Sequence, residues 1–135
     1  MAEIRYVKSE DFDAWFRLDA HLPKCEFEKK VRDKTGYVLI ESGKVVGILR
    51  YNLFWDIVPF CTLLYIEEAY RGEGFGRALM NHWECDMKAH GHKTVLTSTQ
   101  SDETAQHFYR KLGYRDSGSL IFNNDPTELF FTKSI

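Results

Sequence analysis

Alternating and uninterrupted apolar runs divide much of the chain into strands. Five such runs are bounded by turn residues, and two more lie near the end of the sequence. The predicted strands are Ile4–Val7, Tyr37–Ile40, Val45–Leu53, Phe60–Ile66, Thr94–Thr99, Tyr114–Phe122 and Leu129–Lys133. Phe60–Ile66 is apolar on both faces, which predicts a central strand. Ser42-Gly43 predicts a tight hairpin between the second and third strands.

Apolar residues at spacings of three and four predict four helices between these strands. Ser9 is expected to cap the first helix, which Pro23 ends, and a charged second helix is expected on the surface at Glu26–Asp33. The third helix runs from Gly76 to Gly91, and the fourth covers Glu103–Leu112. The order β-α-α-β-β-β-α-β-α-β-β predicts an α/β fold with a mixed sheet and helices on both faces.

The length and composition of the chain indicate one globular domain over residues 1–135. Hydrophobic residues make up 44% of the 135 residues, which is enough for a core. The net charge is -2, so the basic surface that nucleic-acid binding requires is missing, and we expect no nucleic-acid partner.

Cysteine usage and the absence of targeting patterns predict a cytoplasmic protein. The three cysteines are widely spaced and odd in number, which is typical of a reducing compartment. The sequence contains no signal-peptide pattern and no apolar run long enough to span a bilayer, so we expect no membrane partner. His82 and Cys85, one helical turn apart, and the pair His90 and His92 supply no complete ligand set, so we expect no metal.

A glycine-rich loop between a predicted buried strand and a predicted helix is the sharpest motif in the sequence. Its residues are Arg71, Gly72, Glu73, Gly74, Phe75, Gly76 and Arg77. A helix N-terminus offers unpaired N–H groups and a partial positive charge, and glycines let an anion approach the backbone closely. The two arginines add charge suited to phosphate.

The loop differs from two common phosphate-binding motifs. A P-loop requires Lys followed by Ser or Thr after its last glycine, whereas Arg77 and Ala78 stand there. The dinucleotide-binding fingerprint requires a third glycine at position 77. From the residues alone, one alternative to phosphate binding remains: the glycines form a turn that joins a strand to a helix and binds no ligand.

The pattern Arg71-x-x-Gly74-x-Gly76, preceded by Leu64-Tyr65-Ile66, resembles the acetyl-CoA signature of the GNAT superfamily of N-acetyltransferases. A second segment, from Ala105 to Tyr114, resembles that family's second signature, with an Ala and a Tyr ahead of Lys-Leu-Gly-aromatic. The resemblance covers Phe60–Tyr114. It implies the GNAT fold, with a central mixed sheet of about seven strands.

The resemblance implies a role for each matching residue. The backbone of Leu64, Tyr65 and Ile66 would pair with the pantetheine arm between two splayed parallel strands, and Leu64 would polarise the thioester carbonyl. Residues 71–77 would hold the pyrophosphate. Tyr109 would contact the cofactor and protonate the departing thiolate, although its spacing also fits a core tyrosine.

The sequence departs from the family pattern at two points. Asp102 stands where the family often has an Asn that contacts the pantetheine, and a carboxylate there could accept a hydrogen bond or cap the helix. No carboxylate occupies the usual position of the glutamate base, so the base is unassigned; Asp56 is the nearest candidate. Four aromatic residues are candidates for the acceptor site or for core packing, namely Trp15, Phe16, Phe54 and Trp55.

These observations lead to a functional hypothesis. The chain is expected to transfer an acetyl group from acetyl-CoA to the primary amine of a small molecule or peptide by direct attack in a ternary complex, as a monomer or homodimer. Two alternatives stay open. One is the use of another short acyl-CoA, and the other is an acyl-CoA-binding regulatory module with weak catalysis.

Overall fold

The computed structural model describes residues 2–135, and within them it contains seven strands and four α-helices. The strands are β1 (Glu3–Tyr6), β2 (Gly36–Glu41), β3 (Lys44–Phe54), β4 (Val58–Ile66), β5 (Thr94–Gln100), β6 (Arg115–Leu120) and β7 (Glu128–Ser134). The helices are α1 (Phe12–Leu18), α2 (Lys24–Asp33), α3 (Phe75–Ala89) and α4 (Ala105–Lys111). The predicted order of elements is confirmed.

The strands form one mixed sheet in the order β1-β2-β3-β4-β5-β7-β6. β4 and β5 pair in parallel, Phe60 opposite Leu96 and Cys61 opposite Thr97. The β1–β2, β2–β3, β5–β7 and β6–β7 pairs are antiparallel. The predicted hairpin at Ser42-Gly43 is confirmed, since both residues have positive φ, as a two-residue hairpin turn requires.

The chain packs into two compact units. The first contains the residues up to Asn52 and Leu63–Trp83, and the second contains Leu53–Thr62 and Glu84–Ile135. In the first unit the sheet carries helices on both faces. Trp15 of α1 and Phe27 of α2 cluster with Val38 and Ile48 on one face.

The α3 helix covers the other face of the first unit's sheet. Its Trp83 ring lies 5.9 Å from the ring of Tyr51. A Cβ added to Gly47 would lie 3.2 Å from Leu79 and 2.7 Å from Ile66, so glycine at this position allows the helix to approach β3 closely.

The second unit packs α4 against one face of β5 and β7. Tyr109 of α4 is buried, and its ring lies 6.1 Å from that of Phe131 on β7. Successive strand residues point to opposite faces, so Ser98 and Phe130 lie on the face opposite Thr97 and Phe131.

Among residues 2–135, no helix combines the length and apolar character needed to cross a membrane.

One local prediction in the first unit was wrong. Ser9 does not cap α1, because a short 3-10 turn (Ser9–Asp11) precedes the helix and the Ser9 hydroxyl instead donates to Glu28, 3.1 Å away. The second helix lies on the surface, as predicted. Its Phe27 is fully buried, and Val31 one turn later packs against the same core cluster.

A buried carboxylate holds the segment between α1 and α2. Asp19 accepts hydrogen bonds from Trp15 Nε1 at 3.0 Å and from Arg50 Nε at 2.9 Å. It also accepts the backbone N–H groups of His21 and Leu22. Burial by itself raises the pKa of Asp19, but the hydrogen bond from Arg50 and the backbone donors outweigh burial and hold that pKa below its ordinary value.

We predict that Asp19→Ala lowers the free energy of unfolding by about 3 to 5 kcal/mol at neutral pH, because the Arg50 charge is left without its buried partner. The lowered pKa of Asp19 means that the folded structure favours the ionised carboxylate over the protonated one. The stabilisation is therefore complete well above the unfolded-state pKa of about 3.9 and declines as the pH falls below it.

Urea unfolding of native protein and variant at several pH values measures this difference, which should narrow in acid. Asp33→Ala is the control, because Asp33 is exposed and paired only with Arg32 next to it; its effect should stay within about 0.5 kcal/mol. Equal losses in the two variants would contradict the role given to Asp19.

Candidate functional site

The glycine loop precedes α3 and presents open backbone. Gly72 and Gly74 have φ of +80° and +83°, a left-handed conformation that favours glycine. A Cβ built on either residue would have no atom within 4 Å, so the space beside the loop is open. The sequence predicted this loop, and the structure gives both glycines a conformational reason.

The start of α3 leaves several amide groups for a ligand. Ala78 N–H donates to Gly74 O at 3.0 Å, which is the first hydrogen bond of the helix. The N–H groups of Phe75, Gly76 and Arg77 come before that bond, so they have no acceptor within the helix. The helix dipole adds partial positive charge at the same end. This geometry suits an anion.

Arg71 is fixed by the end of β4. Its Nε donates to the backbone oxygen of Ile66 at 2.8 Å, and its guanidinium lies 5.1 Å from the centre of the Tyr65 ring. One hydrogen bond and one stacking contact together hold the guanidinium plane beside the strand. The structure therefore brings Tyr65, Ile66 and Arg71 together. Leu64 and Tyr65 are half-buried and Ile66 is buried.

The two charged side chains within the loop, Glu73 and Arg77, are exposed. Arg77 stands in the first turn of α3, the end at which the helix dipole is positive. Its charge therefore adds to the attraction that this turn exerts on an anion. Glu73 acts in the opposite direction.

In the second unit, Tyr109 is a buried phenol, 6% exposed, near the pairing of β4 with β5. Burial is the largest cause that raises its pKa above the ordinary value of 10.0, and the nearby Cys61 raises it further. A hydrogen bond with Thr97 opposes the rise. The Thr97 hydroxyl also donates to the backbone oxygen of Cys61 at 3.2 Å. Tyr109 is thus a neutral proton donor at physiological pH.

A buried ion pair supports the Tyr109 side of α4. Glu84 accepts the phenol of Tyr114 at 2.7 Å and the ammonium of Lys133 at 2.8 Å. The Tyr114 ring then packs edge-on against Tyr109, with ring centres 5.8 Å apart. This cluster could not be predicted from the sequence, because its three residues are far apart in the chain.

Asp102 lies exposed in the turn before α4. The neighbouring Glu103 makes the side-chain contacts there, accepting from Gln100 N–H at 3.1 Å and from the Thr99 hydroxyl at 3.3 Å. The expectation that Asp102 caps the helix is wrong, since Thr104 occupies that position. Whether Asp102 contacts a cofactor stays a prediction.

The aromatic acceptor candidates divide into core and surface. Trp15 is fully buried and Phe16 packs on Phe27, so these two belong to the core around α1 and α2. Trp55 is 76% exposed in the turn between β3 and β4, and the ring of Phe54 contacts it at a tilt, with ring centres 4.6 Å apart. Asp56 is also exposed in that turn.

Comparison with known protein families matches residues 2–114 to the family described as "Acetyltransferase (GNAT) family". The match spans most of the chain and includes both signature segments. The chain belongs to the GNAT acetyltransferase family. No curated protein sequence is similar enough to count as a match.

Solved structures of GNAT proteins share the fold. The Ard1 structure from Thermoplasma volcanium has a TM-score of 0.88 at 18% identity, covering 99% of this chain and 97% of that one. The ribosomal-protein-S18-alanine N-acetyltransferase from Escherichia coli has a TM-score of 0.82 at 17% identity, covering 100% and 94%.

A third similar structure is the PaiA N-acetyltransferase from Thermoplasma acidophilum in complex with coenzyme A, with a TM-score of 0.76 at 14% identity and coverage of 100% and 99%. Identities this low establish the fold alone. The seven-strand mixed sheet is therefore the GNAT fold, as predicted.

We predict that Tyr109 stays neutral in the folded protein at about pH 11, one unit above the ordinary tyrosine pKa. Absorbance near 295 nm, read after a fast pH jump, should show equal tyrosinate in native protein and Tyr109→Phe. In denaturant the native chain should ionise all seven tyrosines and the variant six, one having been replaced.

The sign of the effect on stability follows from the raised pKa of Tyr109. The contribution of Tyr109 to the free energy of unfolding is complete below the unfolded-state pKa of about 10 and declines as the pH rises past that value. Loss of one full tyrosinate from the folded variant at pH 11 would show that Tyr109 ionises normally and would contradict its burial.

Proposed function

We propose that this GNAT protein is an N-acetyltransferase that moves an acetyl group from acetyl-CoA to a primary amine in a ternary complex, within a single catalytic domain and without a metal. One observation carries the proposal. The start of α3 offers adjacent amides and two open glycines beside a fixed guanidinium, and these suit a diphosphate. Similarity to N-acetyltransferases, one of them solved with coenzyme A, supports it.

The residues of the loop fit the diphosphate for distinct reasons. Gly72 and Gly74 let phosphate oxygens reach the backbone, since no side chain stands in the way. The amides of residues 75–77 donate to those oxygens, and Arg71 and Arg77 supply the positive charge. Because Arg71 is already held by Ile66 and Tyr65, little rotamer freedom is lost when the ligand binds.

The strand before the loop positions the reacting end of the cofactor. Acetyl-CoA would supply an activated thioester, whose carbonyl oxygen gains negative charge when the amine attacks. The backbone of Leu64, Tyr65 and Ile66 would pair with the pantetheine arm, and the Leu64 backbone would stabilise the oxyanion. One preorganised backbone donor of this kind contributes about 3 to 4 kcal/mol to catalysis.

Tyr109 would contact the cofactor and act as the general acid. The thiolate that leaves needs a proton, and the buried Tyr109 phenol is protonated at physiological pH and near the pairing of β4 with β5. The hydrogen bond with Thr97 and the packing against Tyr114 fix the orientation of the ring. Deprotonation of the amine through water requires no dedicated residue, and the exposed Asp56 is not assigned the role of base.

We predict that Gly74→Ala weakens coenzyme A binding at least about tenfold, since a Cβ would stand where phosphate oxygens approach the amides. Calorimetric titration of coenzyme A measures this. Gly43→Ala is a matched control, because Gly43 has a φ of +78° and equally open surroundings but lies in the β2–β3 hairpin.

Both variants should lose similar stability, which urea unfolding measures, and only Gly74→Ala should lose affinity. Native protein that gives no binding heat with coenzyme A would overturn the proposed function. Equal affinity of the two variants for coenzyme A would show that the loop is not part of the binding site.

We predict that Tyr109→Phe lowers kcat by about a hundredfold or more at unchanged affinity for coenzyme A, since general acid catalysis contributes about that much. The rate of free-thiol release with a panel of amines measures the effect. A binding module without turnover would bind coenzyme A yet release no thiol with any amine. Propionyl-CoA and acetyl-CoA compared in the same assay test the length of the acyl group.

A further inference from the structure

The second unit contains a cleft that the reaction outlined above does not use. It has a volume of about 270 Å³ and is formed by β4, β5, β7 and the connection between β6 and β7. Its lining combines apolar and polar side chains. They are Phe60, Ser98, Gln100, Leu120, Phe122, Asp125, Pro126, Glu128 and Phe130.

Sheet register explains how these residues meet. Glu128 of β7 stands opposite Gln100 of β5 on one side and Leu120 of β6 on the other. Two residues along β7, Phe130 stands opposite Ser98. Directly paired residues share a face, so this row is on the side of the sheet away from Tyr109 and α4.

The charged side chains that line the cleft are negative. Its lining includes two carboxylates, Asp125 and Glu128, and no Lys, Arg or His among the described lining residues. Glu128 is half-buried, where a charge attracts a partner more strongly than in bulk water. The cleft therefore favours a cation over a neutral or anionic ligand.

The rest of the lining is apolar and includes aromatic rings. Phe60 and Phe130 pack with ring centres 5.9 Å apart and form one wall. Leu120 and Phe122 are 47% and 58% exposed, so the apolar lining reaches the surface at this end of the cleft. Exposed apolar side chains beside a concave carboxylate site are typical of a surface that a ligand covers.

We infer that this cleft binds the acceptor, and that the acceptor is a primary ammonium group attached to an aromatic or large aliphatic side chain. This inference rests on the proposed function. Asp125 and Glu128 attract the ammonium, and the apolar group packs on Phe60 and Phe130. A side chain of about six to ten heavy atoms fits a cleft of this volume.

The reaction balances for such an acceptor. The ammonium releases one proton to water and its nitrogen forms a bond to the acetyl carbon, while the carbon–sulfur bond breaks. The nitrogen also gives up a second proton, which replaces the one that the sulfur takes from Tyr109, and coenzyme A leaves as free thiol. The products are an uncharged amide, coenzyme A and one released proton. Loss of the ammonium charge weakens attraction to the two carboxylates and favours product release.

Binding and turnover of defined probes test the inference. We expect 2-phenylethylamine and a tetrapeptide beginning with Phe to bind more tightly than ethylamine, 2-phenylethanol and 3-phenylpropionate. Whichever of the two preferred probes has the higher kcat/KM identifies a small amine or a peptide N-terminus as the source. Equal binding of the neutral or anionic analogue would overturn the inference.

Variants that remove one carboxylate from the cleft are compared with a variant that removes one carboxylate elsewhere. Glu128→Gln and Asp125→Asn should each raise KM for 2-phenylethylamine about tenfold, as expected for loss of a charged hydrogen-bond partner. Asp125 is exposed in a turn, so its variant tests the site with little effect on folding. Glu3→Gln in β1 removes the same charge from an exposed strand position and should leave KM unchanged. Unchanged KM in both cleft variants would overturn the inference.

The acceptor inference and the proposed function can be tested independently of each other. Calorimetry with coenzyme A alone reports on the glycine loop, whereas titration of 2-phenylethylamine without coenzyme A reports on the cleft. Coenzyme A binding and thiol release with small polar amines, together with no preference for apolar cations, would overturn only the acceptor inference.

Discussion

The backbone amides at the start of α3 are the interaction on which the proposed chemistry depends. They are available because a helix has no internal acceptor for its first N–H groups, and because Gly72 and Gly74 keep the space beside them open. Positive φ at both glycines turns the chain from β4 into the helix without a side chain in the way. Arg71 completes the site through its bond to Ile66, which links the anion-binding loop to the end of a central strand. The proposed phosphate recognition thus depends on the backbone path more than on any one side chain.

Burial has different consequences for the ionisable groups of this fold. Asp19 stays ionised because Arg50 and backbone donors surround it. Tyr109 stays protonated, since its surroundings are apolar and Thr97 is its one hydrogen-bond partner identified among the described residues. The first arrangement holds a loop in place. The second keeps the phenol neutral, so that it can act as a hydrogen-bond donor inside the fold.

Much of the fold could be predicted from the chain, because hydrophobic periodicity is a local property. Every strand and helix was placed within a few residues, and the Ser42-Gly43 turn follows from residue types that accept positive φ. Errors occurred where local and tertiary signals compete. Ser9 has the type of a helix cap, but its hydroxyl contacts Glu28 on another helix. Phe27 lies in a charged surface helix, and its complete burial comes from packing against Trp15, Val38 and Ile48.

The chain by itself determined the element order, the glycine loop before α3 and the family, because all three depend on residues close together in sequence. Tertiary structure decided what periodicity cannot encode, namely that β7 lies between β5 and β6. That strand order brings Glu128 beside Gln100 and Phe130 beside Ser98, about thirty residues apart, and creates the carboxylate cleft. It also places Phe131 against Tyr109. The physical reason is that strand pairing is a long-range choice, made by the packing of whole faces and not by any local motif.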